Sequence, residues 1–264
     1  MDDGVIRPAM WKRFLPALCL LLLAAPVFSQ APLRVAAAAD LEPVLPPILL
    51  QFEKQSGMRV EATYQASAVL TTQILNGAPF DLFLSADLSF PRRLIDAGVA
   101  DANGAAAPIT YARGTLVLWE RKDAHLPPPS LALLSSPALK RLAIANPERA
   151  PYGRAAVAAL NSLKLYEALK PRLVTAENIS QTAQFVDSGN ADAGLISLTS
   201  ARTPRLEADG RYFLIPRGLY PPIEQGAVIV KASGQRAAAQ RLLDFLLSAP
   251  VQSELALGGL TPVK

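Results

Sequence analysis

Short, mostly apolar runs and longer stretches with one apolar face take turns along this chain. Residues 33–38, 80–84, 142–145 and 193–198 are strand-length runs with little polar alternation, which marks strands buried on both faces, the signature of a parallel sheet. Residues 59–64 and 115–119 are further strands. Between them, residues 44–54 carry Leu45, Ile48, Leu49 and Phe52 at the spacing of a helix with one buried face. Residues 67–76, 154–164, 180–187 and 236–247 read as helices too. Pro46 and Pro47 predict a kink or restart in the first helix. The alternation predicts an α/β fold with largely parallel sheets. There is no internal repeat and no low-complexity tract.

The most apolar stretch lies outside this pattern. Lys12 and Arg13 precede an apolar run over residues 14–27, the length of a secretory core and too short to span a membrane. Small residues then place a cleavage after Ser29, with Ala31 second because Pro32 would follow that cut. Asp2 and Asp3 are unusual in such a leader, so the natural start is either Met1 or Met10. Residues 1–29 are therefore read as a signal peptide, and the mature protein as exported.

Removing them changes the chemistry that is available. Cys19, the only cysteine, goes with the leader, and His125 is the only histidine. That excludes disulfides, thiolate ligands and every histidine-based dyad or zinc site not built on His125, which sits in a proline-rich loop. The formal charge of +4 becomes +3 once three basic and two acidic residues leave, and these charges form no basic stripe. Nucleic acid is a poor match as a partner. There is no GxSxG elbow and no P-loop.

What recurs instead is one local design: a strand ends, a small or polar residue turns the chain, and a helix begins. Helix N-termini present unpaired amides and the positive end of the macrodipole, so several aimed at one point make an anion site without a formal cation. Four such entrances occur. The first is VAAAADLEPVL, with Asp40 placed as an N-cap. The second is Ser67. The third is ANPERAPYGRAAVAAL, where Gly153 would let backbone approach a ligand, and Arg154 faces solvent, balances Asp40 or reaches the ligand with its guanidinium. The fourth is AENISQTAQFVDSGNADAGLISL, in which Asn178 and Gln181 have capping-box spacing.

These entrances, in this order, with GAPFDLFLSAD over residues 77–87 and LYPPIEQGAVIV over 219–230, resemble the periplasmic molybdate-binding proteins of ABC importers, bacterial extracellular solute-binding proteins. The resemblance implies the two-lobed type II periplasmic binding protein fold, each lobe a mostly parallel sheet flanked by helices, with the ligand in the cleft between. Lobe 1 would take residues 30–113 and 200–264, and lobe 2 residues 114–199. It implies a monomeric, non-catalytic protein without a cofactor, which captures molybdate or tungstate in the periplasm and delivers it to an inner-membrane ABC permease. Ala39, Asp40, Ser67, Tyr152, Ile179 and Ser197 match its ligand-binding positions. The family usually has Ser or Asn at Asp40, and some members a tyrosine at Ser197. The Asp40 carboxylate is accordingly expected to turn away and cap its helix, and Ser197 to act directly or through a water. These two departures leave open another oxyanion or an organic acid as ligand, and a secreted enzyme on the same scaffold stays a distant alternative.

Overall fold

The computed structural model describes residues 1–4 and 31–263, and the expected signal peptide and its cleavage point lie almost wholly outside them. Residues from Ala31 onward form one compact unit built on two sheets. The first sheet contains β1 (Leu33–Ala38), β2 (Val60–Gln65), β3 (Leu82–Ser85), β4 (Ala100–Asp101) and β5 (Ile109–Gly114). The chain then crosses to the second sheet, made of β6 (Leu116–Arg121), β7 (Leu142–Ala145), β8 (Leu173–Ala176), β9 (Ala193–Ser197) and β10 (Gly210–Leu214). It returns through β11 (Ile223–Val230).

Each sheet has a parallel trio, β2-β1-β3 and β8-β7-β9, extended by antiparallel strands. β11 runs antiparallel to β3, β4 and β5, and β6 antiparallel to β9 and β10. The sheets are thus mixed, because the strands that carry the chain between them meet their neighbours head to tail. By sheet membership the return falls between β10 and β11, whereas the sequence reading places residues from 200 onward with the first lobe. β10 pairs Tyr212 with Trp119 of β6 and so stays with the second sheet.

The helices are α1 (Leu45–Ser56), α2 (Ser67–Leu75), α3 (Ser89–Asp96), α4 (Pro151–Ser162), α5 (Tyr166–Leu169), α6 (Ile179–Asp187), α7 (Leu198–Ala201), α8 (Pro204–Asp209), α9 (Arg236–Leu246) and α10 (Ala249–Leu257). They cover both faces of each sheet, and successive strand residues point into different cores. Val35 and Ala37 pack with α1, α9 and α10, while Ala36 and Phe83 pack with α2 and α3. Leu116 and Leu118 face α4, whereas Val117 and Trp119 face α6. At Pro46 and Pro47 the helix restarts, one of the two outcomes expected, and is not kinked. The prolines sit in the first turn of α1, where a missing N–H costs nothing, and a separate 3-10 turn (Ala39–Leu41) precedes them. His125 is exposed in its loop, as expected.

Among the described residues, no helix is long and apolar enough to cross a membrane, and no group of three or more His, Cys, Asp or Glu could hold a metal ion.

Candidate functional site

The four helix entrances meet. The ends of β1 and β2, the corner after β3, and the first residues of α2, α4 and α6 line a cavity of about 10 Å³. It is lined by Ala38, Ala39 and Asp40, by residues 65–67, by Ala86, by residues 150–152, and by Asn178 and Ile179. Larger cavities elsewhere do not contain these residues.

Two of the entrances share an unusual feature. The N-cap residues of α2 and α4 are Ala66 and Ala150, which have no side chain to satisfy the first-turn amides. Alanine is a poor N-cap, costing a helix about 1 kcal/mol relative to Ser or Asp. At both places that cost leaves donors for an occupant. The amides of Ser67 and Tyr152, with that of Ile179 at the start of α6, take no protein acceptor among the cap and turn bonds of the described residues. The fourth entrance has its expected cap: Asn178 Oδ1 accepts from the Gln181 amide at 2.9 Å.

Ser67 adds a hydroxyl. Its Oγ accepts the Ala86 amide at 3.1 Å, which leaves the hydroxyl proton to donate into the cavity. Asp40 is the one ionisable carboxylate on the cavity wall, and it is fully buried. The Tyr152 hydroxyl donates to Asp40 Oδ2 at 3.1 Å, and Gln225 Nε2 donates to the same oxygen. Oδ1 has no partner. The carboxylate caps no helix, contrary to expectation, because the chain enters a 3-10 turn there and two distant side chains reach it first. Burial pushes its pKa from 3.8 up to about 6, against the lowering effect of Gln225, Tyr152 and its own backbone. Burial and the Asp40 charge push the Tyr111 and Tyr152 hydroxyls well above their ordinary value, so both remain donors.

Contacts between elements of the two sheets close the cavity. The Ala68 amide donates to the Arg149 carbonyl at 3.1 Å, Ser180 Oγ to the Ala39 carbonyl at 2.9 Å, and Thr199 Oγ1 to the Asp40 carbonyl at 2.7 Å. Outside this ring Arg154 pairs with Asp87 and lies over the Phe90 ring at 5.2 Å. It neither points only to solvent nor balances Asp40. Two glycines set the close packing. A Cβ on Gly114 would sit 2.2 Å from the Tyr152 hydroxyl, and one on Gly153 would sit 2.3 Å from the Ala145 carbonyl oxygen. Gly153 therefore seats α4 against the end of β7 and does not open the backbone to a ligand.

Ala39, Asp40, Ser67, Tyr152 and Ile179 all line the cavity. Ser197 does not. It is buried as the N-cap of α7, accepting the Ser200 amide at 3.2 Å, with Thr199 Oγ1 at 2.9 Å. It supports the hydroxyl that holds the Asp40 carbonyl. Sequence reasoning missed Gln225, Thr199 and Ala86. Gln225 had only a weak signal: with Glu224 it is one of two polar residues at the head of the apolar run of β11, and the sequence does not say that it is the fully buried one.

Comparison with known proteins agrees with this geometry. Residues 33–260 match the family described as bacterial extracellular solute-binding protein. The molybdate-binding protein ModA of Azotobacter vinelandii is 40% identical over 216 residues, 82% of this chain and 84% of that one. ModA of Rhodobacter capsulatus is 38% identical over 195 residues, 74% of each chain. The solved periplasmic molybdate-binding protein of Azotobacter vinelandii superposes with a TM-score of 0.80 at 31% identity, covering 88% of this chain and 100% of that one. With the family model matched over most of the chain and a relative 40% identical over 82% of it, the chain belongs to the bacterial extracellular solute-binding protein family.

Proposed function

We propose that this protein captures molybdate, and tungstate with it, in the periplasm and delivers it to an inner-membrane ABC permease. It would act as a monomer, without a cofactor and without catalysis, after losing residues 1–29. The observation that carries this reading is that the first residues of α2, α4 and α6 and the Ser67 hydroxyl line one small cavity whose described lining residues include no cation. Such a wall suits an anion that offers acceptors on every side. Ala39, Asp40, Ser67, Tyr152 and Ile179 would touch it, and Ser197 would act through Thr199. Two ModA relatives matched over most of their length support molybdate as that anion.

Selectivity would follow from fixed donors. Each buried donor that a smaller anion fails to reach costs about 1–3 kcal/mol, so two or three missed contacts separate sulfate from molybdate by orders of magnitude. The bare Asp40 Oδ1 favours a second reading, a proton-bearing oxyanion such as hydrogenphosphate donating to an ionised carboxylate.

Thermal unfolding with molybdate, tungstate, sulfate and phosphate tests the choice. A ligand at a thousand times its Kd stabilises the native state by about 4 kcal/mol. Molybdate and tungstate should each raise Tm by several degrees while sulfate and phosphate at equal concentration do far less. Equal shifts from all four would replace the molybdate reading with a generic oxyanion binder, and a shift from phosphate alone would select the second reading.

A further inference from the structure

Asp40 poses a problem for any dianion in this cavity. It lines the wall, is fully buried and has one oxygen, Oδ1, with no partner. Both side-chain donors that reach the carboxyl group, the Tyr152 hydroxyl from α4 and Gln225 Nε2 from β11, go to Oδ2. The other groups packed around it bring no positive charge. They are the Tyr111 hydroxyl from β5, which donates to the Ser85 carbonyl, the Thr199 and Ser180 hydroxyls bound to backbone carbonyls, and Tyr220 beside Tyr152. The nearest arginine on the same helix start, Arg154, is taken by Asp87.

An ionised carboxylate has only acceptor lone pairs, so beside a bound dianion it would meet oxygens that are themselves only acceptors. A protonated Oδ1 reverses this, since the acid becomes a hydroxyl donor of the same kind as Ser67. We propose that Asp40 enters the complex as a neutral carboxylic acid whose Oδ1 proton is donated to an oxygen of the bound dianion, so that capture of each anion takes up one proton from solvent. Atoms and charge balance without a further reactant: ionised protein, one solvent proton and a dianion give a complex in which Asp40 is neutral and the anion keeps its full charge. Asp40 is then both a ligand contact and a specificity residue, since it excludes occupants that must donate a proton at that point. This inference rests on the oxyanion function proposed above.

Burial already prepares the group for this role, holding the empty site's carboxyl at a pKa of about 6. An anion alongside would raise it further. Linkage then sets the expected course with pH. Near pH 5 the free protein is already largely protonated at Asp40 and binding takes up little. By pH 8 the free group is ionised, uptake approaches one proton per anion, and affinity falls about tenfold per pH unit.

Calorimetric titration of the mature protein with molybdate between pH 5 and 9, in two buffers of different ionisation heat at each pH, reads proton uptake directly. Wild type should show uptake rising from near zero to about one proton, with the matching loss of affinity. Asp40→Asn, which presents a permanent donor of the same shape, should show no such uptake and a flat pH profile, and should bind at least tenfold more tightly than wild type at pH 8. Tight wild-type binding with a flat profile and no buffer dependence overturns the inference while leaving molybdate as ligand. So does a folded Asp40→Asn protein that loses molybdate binding at every pH. If neither protein binds molybdate at any pH, the proposed function fails, and this inference with it.

Discussion

β1 and β3 are neighbours in the first sheet, and each ends in small residues followed by an aspartate: Ala38-Ala39-Asp40 and Ser85-Ala86-Asp87. The two aspartates have opposite surroundings. Asp87 is fully engaged: Oδ1 accepts the Phe90 amide at 3.1 Å at the head of α3, Oδ2 accepts Ser89 Oγ at 2.7 Å, and Arg154 pairs with it at the surface. Asp40 is buried, meets no cation and keeps one oxygen bare. The difference is imposed from the second sheet, by residues 152 and 154 of one helix start. Tyr152 reaches inward to Asp40, and Arg154 reaches outward to Asp87. Two similar strand ends thus become a neutralised corner and an uncompensated carboxyl, according to which face of α4 each one meets.

The largest effect should come from removing the uncompensated charge. Asp40 has a folded pKa of about 6 against an ordinary value of 3.8. The folded state therefore binds this proton more tightly than the unfolded chain. The group's favourable contribution is complete below pH 4, fades as pH rises through 6, and is gone above that. A shift of about two units corresponds to about 3 kcal/mol. Relative to wild type, Asp40→Asn should gain up to about 3 kcal/mol of stability between pH 4 and pH 8, read from urea unfolding without ligand. A stability difference that does not change with pH would mean that burial does not perturb the Asp40 carboxyl.

Ser67 links the two strand ends to the cavity, because its hydroxyl oxygen holds the Ala86 amide next to Asp87 while its proton is left for an occupant. Ser67→Ala should lower molybdate affinity about tenfold or more, since a hydrogen bond to a charged group is worth roughly 1.5–3 kcal/mol. Titration of a mutant whose circular dichroism matches wild type checks it. An unchanged Kd would place the hydroxyl outside the site and leave it only the structural bond to Ala86.

Much of this arrangement could be read from the sequence, and the limits are physical. Mostly apolar runs located β1, β3, β7 and β9, because burial on both faces leaves a local signature. β10 escaped because residues 210–214 are only partly buried and their pairing partner lies about 90 residues earlier. Strand direction escaped for the same reason, since an apolar run does not say whether its neighbour runs with it or against it. At the site, the small residues and helix starts were visible. The fate of the Asp40 carboxylate was not, because Tyr152 and Gln225 reach it from 112 and 185 residues away. Ser197 was placed by family position, and its hydroxyl serves the cap of α7.

The smallest effect belongs to the outer pair. Arg154 has a side chain 42% exposed and Asp87 one 17% exposed, so water screens much of their attraction. Such pairs contribute under about 1 kcal/mol, and less as salt rises. The two partners are not equivalent probes. Arg154→Gln removes the pair and its contact with Phe90, whereas Asp87→Ala also removes the bond to the Phe90 amide, a capping interaction worth about 1 kcal/mol. Asp87→Ala should therefore destabilise more than Arg154→Gln. A double-mutant cycle should isolate a coupling below about 1 kcal/mol that shrinks between low and high salt. A coupling above about 2 kcal/mol that ignores salt would show a desolvated pair, because only buried charges escape screening. In that case the corner after β3 would be as dry as the end of β1, and the contrast between the two aspartates would lie in their partners alone and no longer in their exposure to solvent.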